Sequence, residues 1–274
     1  MQSNLKITFI GGGNMAQALI GGLAGKLTDG SNIHVVDVIP ETLTQLTARF
    51  GVTTATGPSD VVAMSDVIVL AVKPQQLRDV ASSLRPYLKS QLVLSIAAGI
   101  RAADLSRWFG GYQAIVRTMP NTPALVGKGV TGAVAMAGVS DTQRQIADAM
   151  LRAVGETVWI ADEAQMDAVT AISGSGPAYV FYFIEAMQQA ALELGLTEQQ
   201  GRQLAQATFA GAAELAVRSD EPVSLLRERV TSKGGTTYAA LTSMEASGVK
   251  AAVVKALHAA AERGKELGEE FGKD

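Results

Sequence analysis

An open, doubly wound α/β sheet followed by an all-α region is the architecture expected of this chain, and three observations lead to it. Short β-branched runs alternate with helically spaced segments as far as Ile160. The first of these runs opens directly onto a glycine-rich turn. Beyond Ile160 no strand pattern recurs.

Taken in order, LKITFI (5–10), IHVVD (33–37), VIVLAV (67–72), QLVLSIA (91–97) and QAIVRT (113–118) are the first five strands. Each is apolar on both faces and bounded by breakers, as buried parallel strands are. GVTGAVAMA and GETVWIA add two more around a helix near 140–153. After that, 163–172, 177–194, 197–218, 222–229 and 236–270 read as helices, opened by Pro177, Thr197 and Pro222 and stopped near Gly195 and Gly248. The composition shift puts a nucleotide-type domain at 1–161 and a helical domain at 162–274. The closing run ERGKELGEEFGKD reads as a charged helix that frays.

Bulk properties narrow the function. The 274 residues suffice for a full core, and the net charge of −3 is spread without a basic stripe, which speaks against nucleic acid and against a polybasic membrane anchor. No cysteine occurs, so disulfides, thiolate nucleophiles and sulfur-bound metals are excluded. The opening residues lack the pattern of a secretion signal, and runs such as VIVLAV fall far short of the roughly 20 residues that span a bilayer. A soluble cytoplasmic protein is expected. The helix LAQATFAGAAELAV is apolar around more of its circumference than a surface helix, and so small a helical domain has little interior to hide it. We therefore expect a homodimer, with a compact monomeric bundle as the alternative.

FIGGGNMAQALIGGL places Gly11, Gly13 and Ala16 in the spacing G-x-G-x-x-G/A, after a strand and at a helix start. Gly11 permits the tight turn and Gly13 lets backbone approach a pyrophosphate. Ala16 lets the helix pack on the strand. Asp37 ends the second strand, where an acid accepts the hydroxyls of an adenosine ribose and repels a 2′-phosphate. The whole run Ile10, Gly11, Gly12, Gly13, Asn14, Met15 and Ala16 is thus a Rossmann-type nucleotide cradle, and Asp37 leans toward NADH. A second strand end on the same edge carries Ala71, Val72, Lys73 and Pro74. Lys73 either faces the nucleotide or is solvated.

Three further motifs, VRTMPNTPALVG, DAVTAISGSGPAYVF and VTSKGGTT, join GGGNMA and VKPQ in an order that resembles the pyrroline-5-carboxylate reductases along essentially the whole chain. The resemblance implies NADPH or NADH as cofactor, and a C-terminal helical domain that intertwines into a dimer, often built further into a decamer. It also implies reduction of the cyclic imine pyrroline-5-carboxylate to proline, the last step of proline biosynthesis.

Independently of the resemblance, Gly234 and Gly235 at a helix start expose bare backbone amides suited to a carboxylate, and Ser232, Thr236 and Thr237 add hydroxyls. Ser232 serving as an ordinary helix cap remains the alternative. The resemblance places substrate on the same loop. It implies that Gly235, Thr236 and Thr237 meet the carboxylate or the imine nitrogen, with Thr237 at the nitrogen as the catalytic contact, and that Glu163 is a substrate-side carboxylate. It further implies that residues 173–177 form a loop near the nicotinamide, with Ser173 and Gly174 as cofactor contacts, and that Ser95–Gly99, with Ala97, and MPNTP wall the cleft. The chain departs from the family's usual Ser-Pro-Gly-Gly at Lys233, and carries Glu221 before Pro222 where His-Pro is common.

A protonated imine is already electrophilic, so hydride transfer requires orientation more than a strong general acid. Both histidines, His34 and His258, read as structural. Competing readings are a two-domain reductase of a hydroxy acid or another imine, and a dinucleotide-sensing module without turnover.

Overall fold

A computed structural model describes residues 4–273. The chain packs as two compact units. The first holds 4–175 together with 260–273, and the second holds 176–259.

The first unit is built on eight strands: β1 (Ile7–Ile10), β2 (Ile33–Val36), β3 (Thr53–Ala55), β4 (Val67–Leu70), β5 (Leu92–Ser95), β6 (Ile115–Met119), β7 (Gly129–Ala135) and β8 (Gly155–Trp159). Their order across the sheet is β3-β2-β1-β4-β5-β6-β7-β8. Neighbours are parallel from β3 through β6, β7 runs antiparallel to β6, and β8 is parallel to β7. The reversal at β7 follows from its short connection, a 3₁₀ turn at Thr122–Val126, because a parallel return needs a dozen or more residues. Helices α1 (Asn14–Leu23), α2 (Pro40–Phe50), α3 (Asp60–Ala63), α4 (Leu77–Leu84), α5 (Ala102–Trp108) and α6 (Asp141–Arg152) cover the two faces.

The strand residues divide between those faces by their alternation. Ile7, Phe9, Val35, Val67, Val69, Leu92, Leu94 and Val116 bury against α1, α2 and α6. Ile10, Val36, Ile68, Leu70, Val93 and Ile115 bury against α4 and α5. This double burial is why those runs show no polar face in the sequence.

Beyond the sheet come a 3₁₀ turn at Glu163–Gln165, α7 (Met166–Val169) and a π-helical turn at Thr170–Gly174. In the second unit, α8 (Gly176–Glu193), α9 (Glu198–Arg218), α10 (Val223–Arg229) and α11 (Thr236–Ala246) follow. Thr197 starts α9 with a capping box, its hydroxyl accepting from Gln200 N while Gln200 returns to Thr197 N. Helix α12 (Val249–Phe271) begins after Gly248, whose φ of +67° ends α11. The 236–270 segment is therefore two helices.

Within the second unit only Ala191, Gly201 and Ala205 are fully buried among the described residues. Gly201 admits Ala191 at close range, which lets α8 and α9 pack. Phe181, Tyr182, Leu204, Leu215 and Val217 stay more than half exposed in the single chain. So much apolar surface on so little core marks a surface for another protein chain.

The C-terminal run does not stand free. Its residues 260–273 pack with the first unit, where Gly264 and Gly268 are buried. The charges face outward and the glycines face in, an asymmetry that composition alone hides.

Candidate active site

The strand order turns back between β1 and β4, which places the binding edge of the sheet at their carboxyl ends. Gly11 sits there with φ +102°, and a side chain on it would strike Ala71 O at 2.5 Å. Gly11 N–H donates to Val36 O at 2.8 Å, and Ala71 N–H to Ile10 O at 2.8 Å, so β1, β2 and β4 end together. Gly13 is the N-cap of α1, with open space where a side chain would stand and no side-chain cap. The first-turn amides, Asn14, Met15 and Ala16, therefore face no competing acceptor, and the first turn holds no acid. Ala16 is buried in the core, as the fingerprint requires. This arrangement fits a dinucleotide pyrophosphate.

Asp37 is tied down on both oxygens. Gly12 N–H donates to Oδ2 at 2.7 Å and Ile39 N–H to Oδ1 at 2.9 Å. A side chain at Gly12 would strike Thr42 and Leu46, so only glycine brings its amide this close to Asp37. Val72 and Pro74 are partly exposed, and Lys73 is exposed with no ion-pair partner among the described residues. Ala97 is buried just past β5, where Thr118 Oγ1 donates to Ser95 O at 2.8 Å.

MPNTP and SGSG meet through one side chain. Buried Asn121 donates from Nδ2 to Ser173 O at 3.0 Å and accepts from Val130 N–H at 2.9 Å. Ser173 Oγ donates to Val169 O at 2.9 Å inside the π-helical turn, and a side chain at Gly174 would run into Met119. Such turns recur at functional sites. Asn121 was singled out in the sequence only as part of its motif.

Glu163 is engaged in the first unit. Its Oε1 accepts from Arg117 Nη1 at 2.8 Å and from Ala102 N–H at 2.7 Å. Sequence reasoning passed over Arg117. Its signal was a cation inside the otherwise apolar strand IVRTM, and such a charge is buried only with a partner.

In the second unit, Gly234 has φ +75° and Gly235 is the N-cap of α11. No side chain caps this helix. Ser232 contributes its carbonyl, accepting from Gly235 N–H at 3.0 Å, and not its hydroxyl. The hydroxyls of Thr236 and Thr237 hydrogen-bond to no protein atom among the described residues, and Thr237 is half-buried. Free first-turn amides and uncommitted hydroxyls are donors of the kind an anion takes.

A doubly wound nucleotide-type sheet joined to a helical unit with little core of its own is the architecture of a two-domain nucleotide-binding protein, the class to which many NAD(P)H-dependent oxidoreductases belong. Comparison with known proteins is specific. A family model described as pyrroline-5-carboxylate reductase dimerisation matches residues 163–267, and one described as NADP oxidoreductase, coenzyme F420-dependent, matches residues 6–99. A pyrroline-5-carboxylate reductase of Pseudomonas aeruginosa is 45% identical over 272 residues, covering 99% of this chain and 100% of its own. One from Haemophilus influenzae is 42% identical, covering 97% and 98%. Among solved structures, the Coxiella burnetii pyrroline-5-carboxylate reductase superposes with a TM-score of 0.91 at 40% identity, over 97% of this chain and 99% of that one. The Plasmodium falciparum pyrroline carboxylate reductase, solved with NADP bound, gives 0.87 at 32%, over 98% and 100%. The chain belongs to the pyrroline-5-carboxylate reductase family.

Proposed function

We propose that this protein reduces 1-pyrroline-5-carboxylate to L-proline with NAD(P)H, working as a homodimer paired through its helical domain, residues 162–274. The observation that carries the reading is kinship along the full length of both chains. A hydroxy-acid reductase, a reductase of another imine and a dinucleotide sensor are not favoured by that kinship.

When bound, the nicotinamide supplies a hydride. The cradle at Ile10–Ala16 holds the pyrophosphate, Asp37 the ribose, and Ala71–Pro74, Ala97, Ser173 and Gly174 line the remaining length. The α11 start takes the substrate carboxylate on the amides of Gly235, Thr236 and Thr237, with Ser232 and Gly234 shaping the loop. Glu163 is the substrate-side carboxylate that the family resemblance implies, and Arg117 engages only its Oε1. Thr237 directs its hydroxyl at the ring nitrogen. Hydride supplied to the imine carbon of the protonated substrate would leave the C=N π pair on nitrogen as the lone pair of a secondary amine. The residues thus orient and neutralise, which suffices for a substrate that is already a cationic electrophile.

The test is oxidation of NADPH and of NADH followed by absorbance with pyrroline-5-carboxylate as substrate. Turnover with formation of proline is expected, and no oxidation of either nucleotide refutes the proposal. A cytoplasmic setting belongs to the same reading, given the cysteine-free sequence, and no helix among the described residues is long and apolar enough to cross a membrane. Any assembly beyond the dimer, up to a decamer, is read by light scattering.

A further inference from the structure

The end of α12 returns to the first unit at one particular loop. Gly264, Gly268 and Gly272 recur every fourth residue and so share one face. A side chain at Gly268 would stand 3.3 Å from Gly99 O and from Arg101 Nε, and one at Gly272 would strike Asp104 Oδ2 at 2.5 Å. Beside them, Leu267 and Phe271 lie over Gly99, each 3.4 Å from the place its side chain would occupy. Phe271 packs against the apolar cluster that contains Ala97, Ile100 and Ala102.

The loop so covered joins β5 to α5 and is held at its ends by backbone bonds. Ile96 N–H donates to Leu70 O at 3.1 Å, and Ala102 N–H donates to Glu163 at 2.7 Å. Between those anchors stand Ala97, Ala98, Gly99, Ile100 and Arg101, with Ala97 and Ile100 buried in that cluster and φ +77° at the glycine. Ala98 and Gly99, at the turn itself, have little side chain to pack, and a segment with little packing opens easily. The apolar cover over Gly99 comes from the far end of the sequence.

We propose that the last two turns of α12 brace the 96–101 loop, and that Leu267 and Phe271 are positioning residues which hold Ala97 ready for the nucleotide. This rests on the reading of Ala97 as a nucleotide contact. A loop ordered in advance loses less freedom on binding, so the brace acts on nucleotide affinity and not on the chemical step.

Full-length Phe271→Ala, with Phe271→Leu as the conservative control, tests this. In the nucleotide-free protein, amide hydrogen exchange at 96–101 should quicken about tenfold in Phe271→Ala, while α1 is unchanged. The KM for NADPH and NADH should rise roughly five- to tenfold with kcat within about twofold. Phe271→Leu should restore both. Unchanged exchange in Phe271→Ala overturns the brace. Quicker exchange with an unaltered nucleotide KM, or a loss confined to kcat, overturns its link to binding. If Phe271→Ala does not fold, Gly268→Val, which wedges against Gly99 and Arg101, carries the same expectations. The reading beneath it is checked separately, because wild-type 96–101 amides that gain no protection from NADPH would remove Ala97 from the nucleotide site while leaving the brace measurable.

Discussion

Arg117 Nη1 and Glu163 Oε1 stand 2.8 Å apart, with the arginine side chain 6% and the glutamate 30% exposed. The pair ties the middle of β6 to the segment that follows the sheet, and the same Glu163 oxygen caps the backbone of Ala102. Its two members are unequal. Glu163→Gln keeps an acceptor but strips the charge from a deeply buried guanidinium, and Glu163→Ala removes both.

Breaking a buried pair by deleting one partner costs about 3–5 kcal/mol. Glu163→Ala should approach that range, because Arg117 has nowhere else to place its charge. Arg117→Met should cost less, about 1–3 kcal/mol, since Glu163 is partly hydrated and keeps its bond to Ala102. Urea denaturation of both variants measures the asymmetry, and equal losses would contradict it.

Asp37 is oriented before any nucleotide arrives, by the amides of Gly12 and Ile39. Each carboxylate oxygen has a further lone pair for a ribose hydroxyl. Asp37→Ser should weaken NADH binding about tenfold or more, the value of a hydrogen bond to a charged group, and weaken NADPH less. Dissociation constants for the two nucleotides decide it. Equal losses would show that Asp37 shapes the turn and does not read the ribose.

His34 supplies a pH dependence. Burial lowers its pKa from 6.5. Thr53 Oγ1 donates to Ile33 O at 3.3 Å, so in its 2.9 Å contact with His34 Nδ1 the hydroxyl accepts and Nδ1 carries the proton. That leaves Nε2 as a buried lone pair without a partner. The unfolded chain takes up a proton near pH 6.5, and the folded chain only at a lower pH. The stability His34 contributes is thus complete above 6.5 and lost as pH falls through the depressed folded value. His34→Gln should flatten the fall in Tm on the acid side of 6.5, and an unchanged slope would assign that fall to other groups.

Thr237, at the second position of α11, has a hydroxyl with no protein partner among the described residues. Thr237→Ala should lower kcat about tenfold or more, equivalent to one hydrogen bond made at the transition state, with nucleotide KM nearly constant. Thr237→Ser should retain most of the rate. An alanine variant of unaltered kcat would remove Thr237 from the chemistry.

The nucleotide half of the molecule was legible because its signals are local. Gly11, Gly13 and Ala16 are each required by one close contact or one open space, and these lie within a single turn. The two-faced burial of the strands likewise left continuous apolar runs. What escaped was set by distant neighbours. Strand β3, only Thr53–Ala55, is too short and polar to show a pattern, and it exists because His34, Val35 and Val36 offer it a ladder. Arg117 finds its partner 46 residues away. The closing run looked ready to fray because its charges dominate its composition, whereas Gly264 and Gly268, which dock it, look like helix breakers in a linear reading. The packing boundary at 175/176 is also later than the 161/162 change in pattern, since α7 and the π-helical turn stay with the sheet.

The scarcity of interior in residues 176–259 carries a consequence for how the enzyme lives and dies. With three small buried residues among those described, these helices have little interior of their own, and in a paired protein their stability would rise with the abundance of subunits. Dilution should then act as heat does, loosening the helical layer as partners separate, so that for this region assembly and folding would form one equilibrium.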